Sequence, residues 1–273
     1  MDEKKFSIIL PTFNRCYIIW RAIQSVIKQT YPFWELLIID DGSTDNTDKL
    51  VKQFTDPRIK YFKKKKQEGP SPARNFGLTK ASGDYIAYLD SDNRWSDDFL
   101  EVMRKTFKKY PNKVLLFCKK NYRLKIINDQ GQEEYLRNEW YKYKKYFDLK
   151  RLWQRKIVID TNAMCHKRSI IKKVGRWNDK INFWEDWEFT LRTSLKYPHG
   201  LMYLNRSLLD YEQVIDWRKK KQIIKTWDQA ERYIYSKYKD YPLMKDQNWY
   251  PPTYGNRSTI GVIDFLRSKK GNL

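Results

Sequence analysis

Over the first half of the chain, short runs that are almost continuously apolar alternate with segments whose apolar residues recur every three or four positions. Phe6-Ser7-Ile8-Ile9-Leu10 is one run, stopped by Pro11, and Glu35-Leu36-Leu37-Ile38-Ile39 is another. Near-unbroken apolarity over five residues is the pattern of a strand buried on both faces. Between them, Ile19, Ala22, Ile23, Val26 and Ile27 share one face of a helix over 17–29, which Tyr31-Pro32 ends. Ser43 or Thr44 is placed to cap a helix reaching about Phe54, and 58–62 reads as a third strand. Ser71 as cap and Pro72 as first helical residue open a helix that closes at Ala81-Ser82-Gly83. A fourth strand, Tyr85-Ile86-Ala87-Tyr88-Leu89, follows.

Ser96 or Asp97 then caps a helix over 97–110 stopped by Pro111; 114–118 is a strand, and 122–127 with Asn128-Asp129-Gln130-Gly131 is half of a hairpin. Strands alternating with helices through short connections predict an α/β fold, a mostly parallel Rossmann-like sheet with helices on both faces. Beyond Gly131 the alternation stops. Residues 135–156 are crowded with aromatics and lysines, which suits a surface helix with snorkelling lysines or an element facing an acceptor or a membrane. A strand over 163–166, a helix over 169–174 closed by Gly175, and a helix opening at Phe183-Trp184-Glu185-Asp186-Trp187 come next. Short strands over 200–203 and 207–211, an amphipathic helix over 219–238 and an aromatic tail with an apolar turn near 260–266 complete the chain. This divides the sequence into 1–130, a smaller half of the same domain over 131–215, and a basic helical extension over 216–273.

With 273 residues, 41% of them hydrophobic and 16% aromatic, the chain is globular, one large or two small domains. No apolar run approaches the roughly 20 residues of a membrane span. The polar N-terminus leads straight into a strand, so no secretory signal is expected, and three cysteines without paired spacing fit a reducing cytosol. The net charge of +22 calls for an anionic partner: nucleic acid, an acidic membrane face or a phosphorylated substrate.

Three acidic groups follow apolar segments: Asp40-Asp41, Asp90 with Asp92, and Glu185-Asp186. The first two sit at the C-terminal ends of strands, where parallel sheets bind ligands, and so should converge. Carboxylates spaced as Asp90 and Asp92 make a hard-oxygen site for Mg²⁺ or Mn²⁺; the plainer alternative is an acidic turn. At Glu185-Asp186 the helix dipole would stabilise the charge, whereas burial between Trp184 and Trp187 would raise the pKa toward a general base's range. A helix cap is the other reading, and the sequence leaves the choice open.

Together, Ile8-Ile9-Leu10-Pro11-Thr12-Phe13-Asn14-Arg15, Ile38-Ile39-Asp40-Asp41-Gly42-Ser43-Thr44-Asp45, Ala73-Arg74-Asn75, Leu89-Asp90-Ser91-Asp92-Asn93 and Glu185-Asp186-Trp187 resemble the inverting family 2 glycosyltransferases of GT-A fold. Order and spacing of the first four match over residues 6–103, and the match thins after Gly131. The resemblance implies transfer of one sugar from a nucleotide-diphosphate sugar, a UDP-sugar by preference, to a hydroxyl of a saccharide or of a lipid-linked or protein-linked glycan. Residues 1–130 would form the donor half and 131–215 the acceptor half. Pro11, Thr12, Asn14, Arg15, Asp40, Asp41, Arg74, Asp90 and Ser91 would surround the donor, with Thr12 and Asp40 at the nucleobase and Arg74 at the base or phosphates. Asp92 would ligate a divalent metal, Mn²⁺ or Mg²⁺, beside Asp90. Asp186 would be the general base, with Glu185 as second choice. The location implied is cytoplasmic, with peripheral contact to an anionic membrane face left open.

Two features depart from such enzymes. His166 and His199 lack metal-ligand spacing, and His166 reads as structural. Gln213-Val214-Ile215-Asp216-Trp217 has Asp where processive synthases carry Arg, so addition of a single sugar is expected. Competing readings are a basic nucleic-acid-binding protein and a nucleotidyltransferase. The first has no recognised motif here, and the second usually needs a glycine-rich loop that Pro11-Thr12-Phe13-Asn14-Arg15 does not supply.

Overall fold

A computed structural model describes residues 3–127, 133–136, 148–153, 159–216, 220–238 and 240. Contacts divide the chain into two compact units, Met1–Trp227 and Asp228–Leu273. In the first unit, strands β1 (Phe6–Thr12), β2 (Trp34–Asp40), β3 (Ile59–Lys63) and β4 (Tyr85–Tyr88) pair in parallel in the order β3-β2-β1-β4. Helices α1 (Ile19–Ile27), α2 (Thr47–Val51) and α3 (Pro70–Lys80) connect them. Every residue of β1 and β2 is buried, as their continuous apolarity demands.

After β4 come the two-residue strand β5 (Arg94–Trp95), helix α4 (Phe99–Lys109), the long strand β6 (Leu115–Ile127) and β7 (Glu133–Leu136), which forms the expected hairpin with β6. Next are α5 (Leu149–Trp153), β8 (Met164–Lys167), α6 (Ile171–Val174), α7 (Glu185–Lys196), β9 (Leu201–Asp216) and α8 (Lys220–Tyr238). The second half of the sheet is mixed. β8 runs antiparallel to both β4 and β6, β9 is parallel to β6, and β5 is antiparallel to β9. Helix α4 lies between β5 and β6, and α6 and α7 lie between β8 and β9. Most of the aromatic, lysine-rich stretch 135–156, the tail from 241 and the apolar turn at 260–266 lie outside the described residues.

Alternate β1 residues face opposite layers. Phe6, Ile8 and Leu10 join α1 and α4 in one core with Ile23, Val26, Phe99 and Met103. Ile9 meets α3 on the other face, where a Cβ at Gly77 would lie 2.5 Å from the Ile9 Cγ2. Only glycine lets that helix approach so closely. At Gly83 the crowding is with backbone: an added Cβ would fall 2.6 Å from the Lys5 carbonyl oxygen and 2.7 Å from the Ser7 nitrogen.

Several expected helix starts are displaced. α2 begins at Thr47, because the Ser43 N–H donates to Asp40 and its hydroxyl accepts from the Asn14 N–H, which ties this segment down as a loop. α3 is preceded by Gly69 at φ 100° and starts on Pro70; Ser71 lies inside it as a buried hydroxyl with no hydrogen-bond partner. α4 starts at Phe99, with the Ser96 hydroxyl donating to Asp98. The two short strands expected over 200–211 are one, β9, with register shifts opposite Cys118, Lys119 and Lys120 that absorb its polar middle. His166 is fully buried, with Tyr88 Oη 2.9 Å from Nε2 and the Lys167 carbonyl 2.9 Å from Nδ1; burial brings its pKa down to about 4. Its role is structural.

Candidate active site

The C-terminal ends of β1, β2 and β4 meet at one edge of the sheet, as adjacent parallel strands must. Thr12 is in register with Asp40, and the Asp41 N–H donates to the Thr12 carbonyl at 2.8 Å. A cleft of about 460 Å³ opens there. Of the expected donor-binding residues, Pro11, Thr12, Arg15, Asp41, Arg74, Asp90 and Ser91 line it, together with Asp92 and Glu185. Asp40 and Asn14 do not. Asp40 is fully buried, accepting from the Ser43 N–H and the Tyr61 hydroxyl. Asn14, at φ 52°, accepts the Thr44 N–H at 2.8 Å and pins the loop after β2. The carboxylate that β2 presents to the cleft is that of Asp41, fixed by Lys64 at 2.7 Å and by the N–H groups of Glu68 and Gly69 at 2.9 and 2.6 Å.

Arg74, on the second turn of α3 and 3% exposed, joins separate parts of the site. One guanidinium nitrogen donates to Asp90 at 2.9 Å and another to Glu185 at 3.1 Å, and the group lies over the Trp177 ring. Burial acts to lower its pKa, but the two carboxylates more than offset this and keep it charged. Its Nε and the Thr12 hydroxyl are buried at the cleft without hydrogen-bond partners. Uncompensated polar atoms are costly, and here both belong to residues that line the cleft.

Asp90 is held from behind as well. The Asn162 side chain accepts from the Asp90 N–H, donates to the Asp90 carboxylate at 2.8 Å and donates to Asp160 at 2.9 Å. Asp160 in turn pairs with Lys120 at 2.7 Å. Asp92 is less restrained: Asn93 donates to it at 3.1 Å, and Arg15 stands 3.9 Å away. Burial, and then the charge on Asp90, push the Asp92 carboxyl up to about 6.

Glu185 and Asp186 begin α7 after Trp184, which takes the left-handed conformation at φ 60°. That backbone is unfavourable for a bulky residue and persists only where packing imposes it. Glu185 reaches the cleft and is pinned by Arg74; Asp186 lies beside it, half-buried and outside the lining, accepting the Trp187 N–H at 2.7 Å. Burial first, then the charges of Glu185 and Asp160, push the Asp186 carboxyl up to about 8. The Trp187 N–H acts in the opposite direction.

Sequence reasoning missed the Lys120–Asp160–Asn162 support and the cleft residues Gln67, Asn182, Tyr211 and Glu212. Asp160-Thr161-Asn162, after Val158-Ile159, carried the one legible signal, carboxylate and amide following apolar residues. Tyr211 and Glu212 come from β9, whose placement no local pattern announces.

The model of the family described as Glycosyl transferase family 2 matches residues 7–175. The chain belongs to this family. The Escherichia coli protein named UDP-Glc:alpha-D-GlcNAc-diphosphoundecaprenol beta-1,3-glucosyltransferase WfgD is 47% identical over 102 residues, 37% of this chain and 40% of that one. The Bacillus subtilis protein named putative teichuronic acid biosynthesis glycosyltransferase TuaG is 40% identical over 97 residues, 35% of this chain and 38% of that one. The chain thus spans about two fifths of the length of these relatives. Among solved structures, residues 1–349 of S. aureus TarS in complex with UDP-GlcNAc align with a TM-score of 0.63 at 21% identity, covering 77% of this chain and 58% of that one. The mannosyltransferase PcManGT from Pyrobaculum calidifontis, in complex with GDP-Man and Mn2+, aligns at 0.59 with 18% identity, covering 91% and 66%. The fold is of the GT-A type.

Enzymes of this family and fold commonly use a divalent metal, and the residues at the β4 end fit one. Asp90 and Asp92 are hard oxygen donors that both line the cleft, and the Asp92 carboxylate has only the Asn93 amide at 3.1 Å and Arg15 at 3.9 Å beside it. Asp90 is already bonded to Arg74 and Asn162, which leaves Asp92 as the more available ligand. No group of three His, Cys, Asp or Glu among the described residues could hold a metal by itself, so further ligands would come from a bound diphosphate and water.

Proposed function

We propose that this chain transfers a single sugar, with inversion, from a UDP-sugar to a hydroxyl of a lipid-linked glycan acceptor in polysaccharide biosynthesis. The observation that carries the reading is the strand-end cleft, where the unpartnered Thr12 hydroxyl and Arg74 Nε sit beside the Asp90–Asp92 pair. The family and the UDP-GlcNAc complex of a protein of the same fold support a nucleotide-sugar donor. The lipid-linked acceptor rests on the substrate printed in WfgD's name.

In this reading the Thr12 hydroxyl and the Asp41 carboxylate face the nucleobase, while Asp40 and Asn14 fix the strand end and loop behind them. Arg15 and Arg74 offer positive charge to the donor's phosphates. Asp92, backed by Asp90, would hold Mn²⁺ or Mg²⁺, which when bound neutralises charge growing on the leaving diphosphate. Glu185 is neutralised by Arg74 and thereby keeps that guanidinium in place. Asp186 takes the proton of the acceptor hydroxyl as its oxygen bonds to the anomeric carbon, and the electron pair of the breaking C–O bond leaves with the diphosphate. Attack from the face opposite the leaving group inverts the centre. A carboxyl whose pKa is raised by burial and by the charges of Glu185 and Asp160 is suited to this work at neutral to mildly alkaline pH. Residues 1–130 would then carry the donor half, 131–215 the acceptor half, and 216–273 an extension. No helix among the described residues is long and apolar enough to cross a membrane. In this reading contact with the acceptor's bilayer is peripheral and on the cytoplasmic face.

The test is calorimetric titration of the full chain with UDP, GDP and CMP, each with Mn²⁺ and with EDTA. Metal-dependent binding of UDP that is lost in Asp92→Ala is the expected result. No heat with any nucleotide, or binding indifferent to both EDTA and Asp92→Ala, refutes the donor and metal assignments.

A further inference from the structure

α1 and the turn before it carry a surface that the donor chemistry does not use. Ile19, Ala22, Ile23 and Val26 bury the inner face of the helix. Tyr17 and Trp20, one helical turn apart, are 64% and 49% exposed. Arg21, Gln24 and Lys28 continue the same outer face at helical spacing. Between Phe6 and Trp34 the chain has no Asp or Glu. The cleft mouth adjoins this face: Arg15 lines the cleft and donates to the Tyr17 hydroxyl at 2.5 Å, and Arg21 lines a small recess that shares Asp92, Tyr211 and Glu212 with the cleft.

We infer that the outer face of α1, centred on Trp20 and Tyr17 and flanked by Arg21 and Lys28, docks the protein on an anionic lipid bilayer with the cleft mouth beside the membrane. Trp and Tyr rings favour the headgroup region, where an apolar body and a polar tip are both satisfied. Arginine and lysine next to them add attraction to acidic headgroups, and the chain's +22 charge acts in the same direction at longer range. Charge complementarity thus selects an anionic bilayer as the occupant. The purpose of the contact rests on the proposed membrane-borne acceptor, but its test does not.

The full chain is sedimented at low salt, without donor or metal, with vesicles of phosphatidylcholine alone and of phosphatidylcholine containing phosphatidylglycerol. Wild type is expected to pellet with the anionic vesicles only. Lys28→Glu changes the local charge by two and should weaken partition by roughly tenfold or more, while Lys108→Glu on α4, a charge-matched control, should weaken it by less than about threefold. Trp20→Glu should match Lys28→Glu, and both variants should bind UDP as wild type does. The proposal is overturned if wild type stays in the supernatant, if Trp20→Glu and Lys28→Glu pellet like Lys108→Glu, or if these changes abolish a concentration-dependent dimer while vesicle binding persists. The last result would mark the face as a contact between copies. Loss of UDP binding with vesicle binding intact would strike the donor reading alone.

Discussion

Replacing Arg74 by methionine should damage the fold and the cleft together, by an amount the geometry sets. Arg74 is 3% exposed, and its guanidinium holds Asp90 at 2.9 Å and Glu185 at 3.1 Å. Methionine keeps much of the volume and removes the charge, leaving two carboxylates facing each other. Breaking one side of a buried ion pair costs about 3–5 kcal/mol. The carboxylates here keep 31% and 15% of their surfaces in solvent, which lets water recover part of that. The expected loss is therefore about 2–4 kcal/mol, or a fall in Tm of roughly 5–12 °C for a chain of this size. Urea denaturation of wild type and Arg74→Met, with Arg74→Lys between them, measures it. The sign of the pH dependence is fixed too. The deficit comes from repulsion between charged carboxylates, so it is fully present at neutral and high pH and shrinks as acid neutralises them. Mn²⁺ should return more stability to Arg74→Met than it adds to wild type, because cation binding at Asp90 and Asp92 relieves the same repulsion. A loss below about 1 kcal/mol, or a deficit that grows as pH falls, would refute the account of Arg74 as the group that compensates these carboxylates.

Asp186→Asn should lower kcat by about 10²–10⁴-fold with UDP affinity unchanged, and wild-type kcat/KM should rise with pH through an apparent pKa near 8; a profile flat between pH 6 and 9 removes Asp186 as the base. Gly83→Ala should cost about 1–3 kcal/mol in chemical denaturation, because the new Cβ meets backbone at 2.6 and 2.7 Å rather than a movable side chain; an unchanged midpoint would contradict the packing. Glu35→Gln should cost about 1–3 kcal/mol, since the buried carboxylate accepts from the Ser7 and Ser82 hydroxyls, the Ser82 N–H and Lys60. Burial alone would raise the pKa of Glu35, but these bonds bring it down to about 2, so its contribution is complete above the ordinary glutamate range and lost as pH falls toward 2. Equal acid-unfolding curves for Glu35→Gln and wild type would refute that.

Local chemistry made the strand-end cleft legible in the sequence. β1 and β2 announce themselves because a strand covered on both faces must be apolar throughout, and Asp41, Asp90 and Asp92 stand at strand ends that parallel pairing then brings to one edge. What a cleft of this kind needs beyond those ends comes from residues distant in sequence. Glu185 and Asp186 lie 111 residues or more from Arg74, and the Arg74–Glu185 contact exists only because α7 packs where it does. Side-chain direction was equally beyond local pattern. Asp40 and Asp41 are adjacent and identical, yet alternation along a strand turns Asp40 into hydrogen bonds with Ser43 and Tyr61 and presents Asp41 to the cleft. Electrostatics followed the same division. The sequence alone determined which carboxylates and which arginine are present and their order along the parallel strands. The tertiary structure decided that Arg74 compensates Glu185, and that Asp186, beside it, is left to burial and to the charges of Glu185 and Asp160, because desolvation and Coulomb forces act through space and depend on neighbours that the chain brings together only when folded.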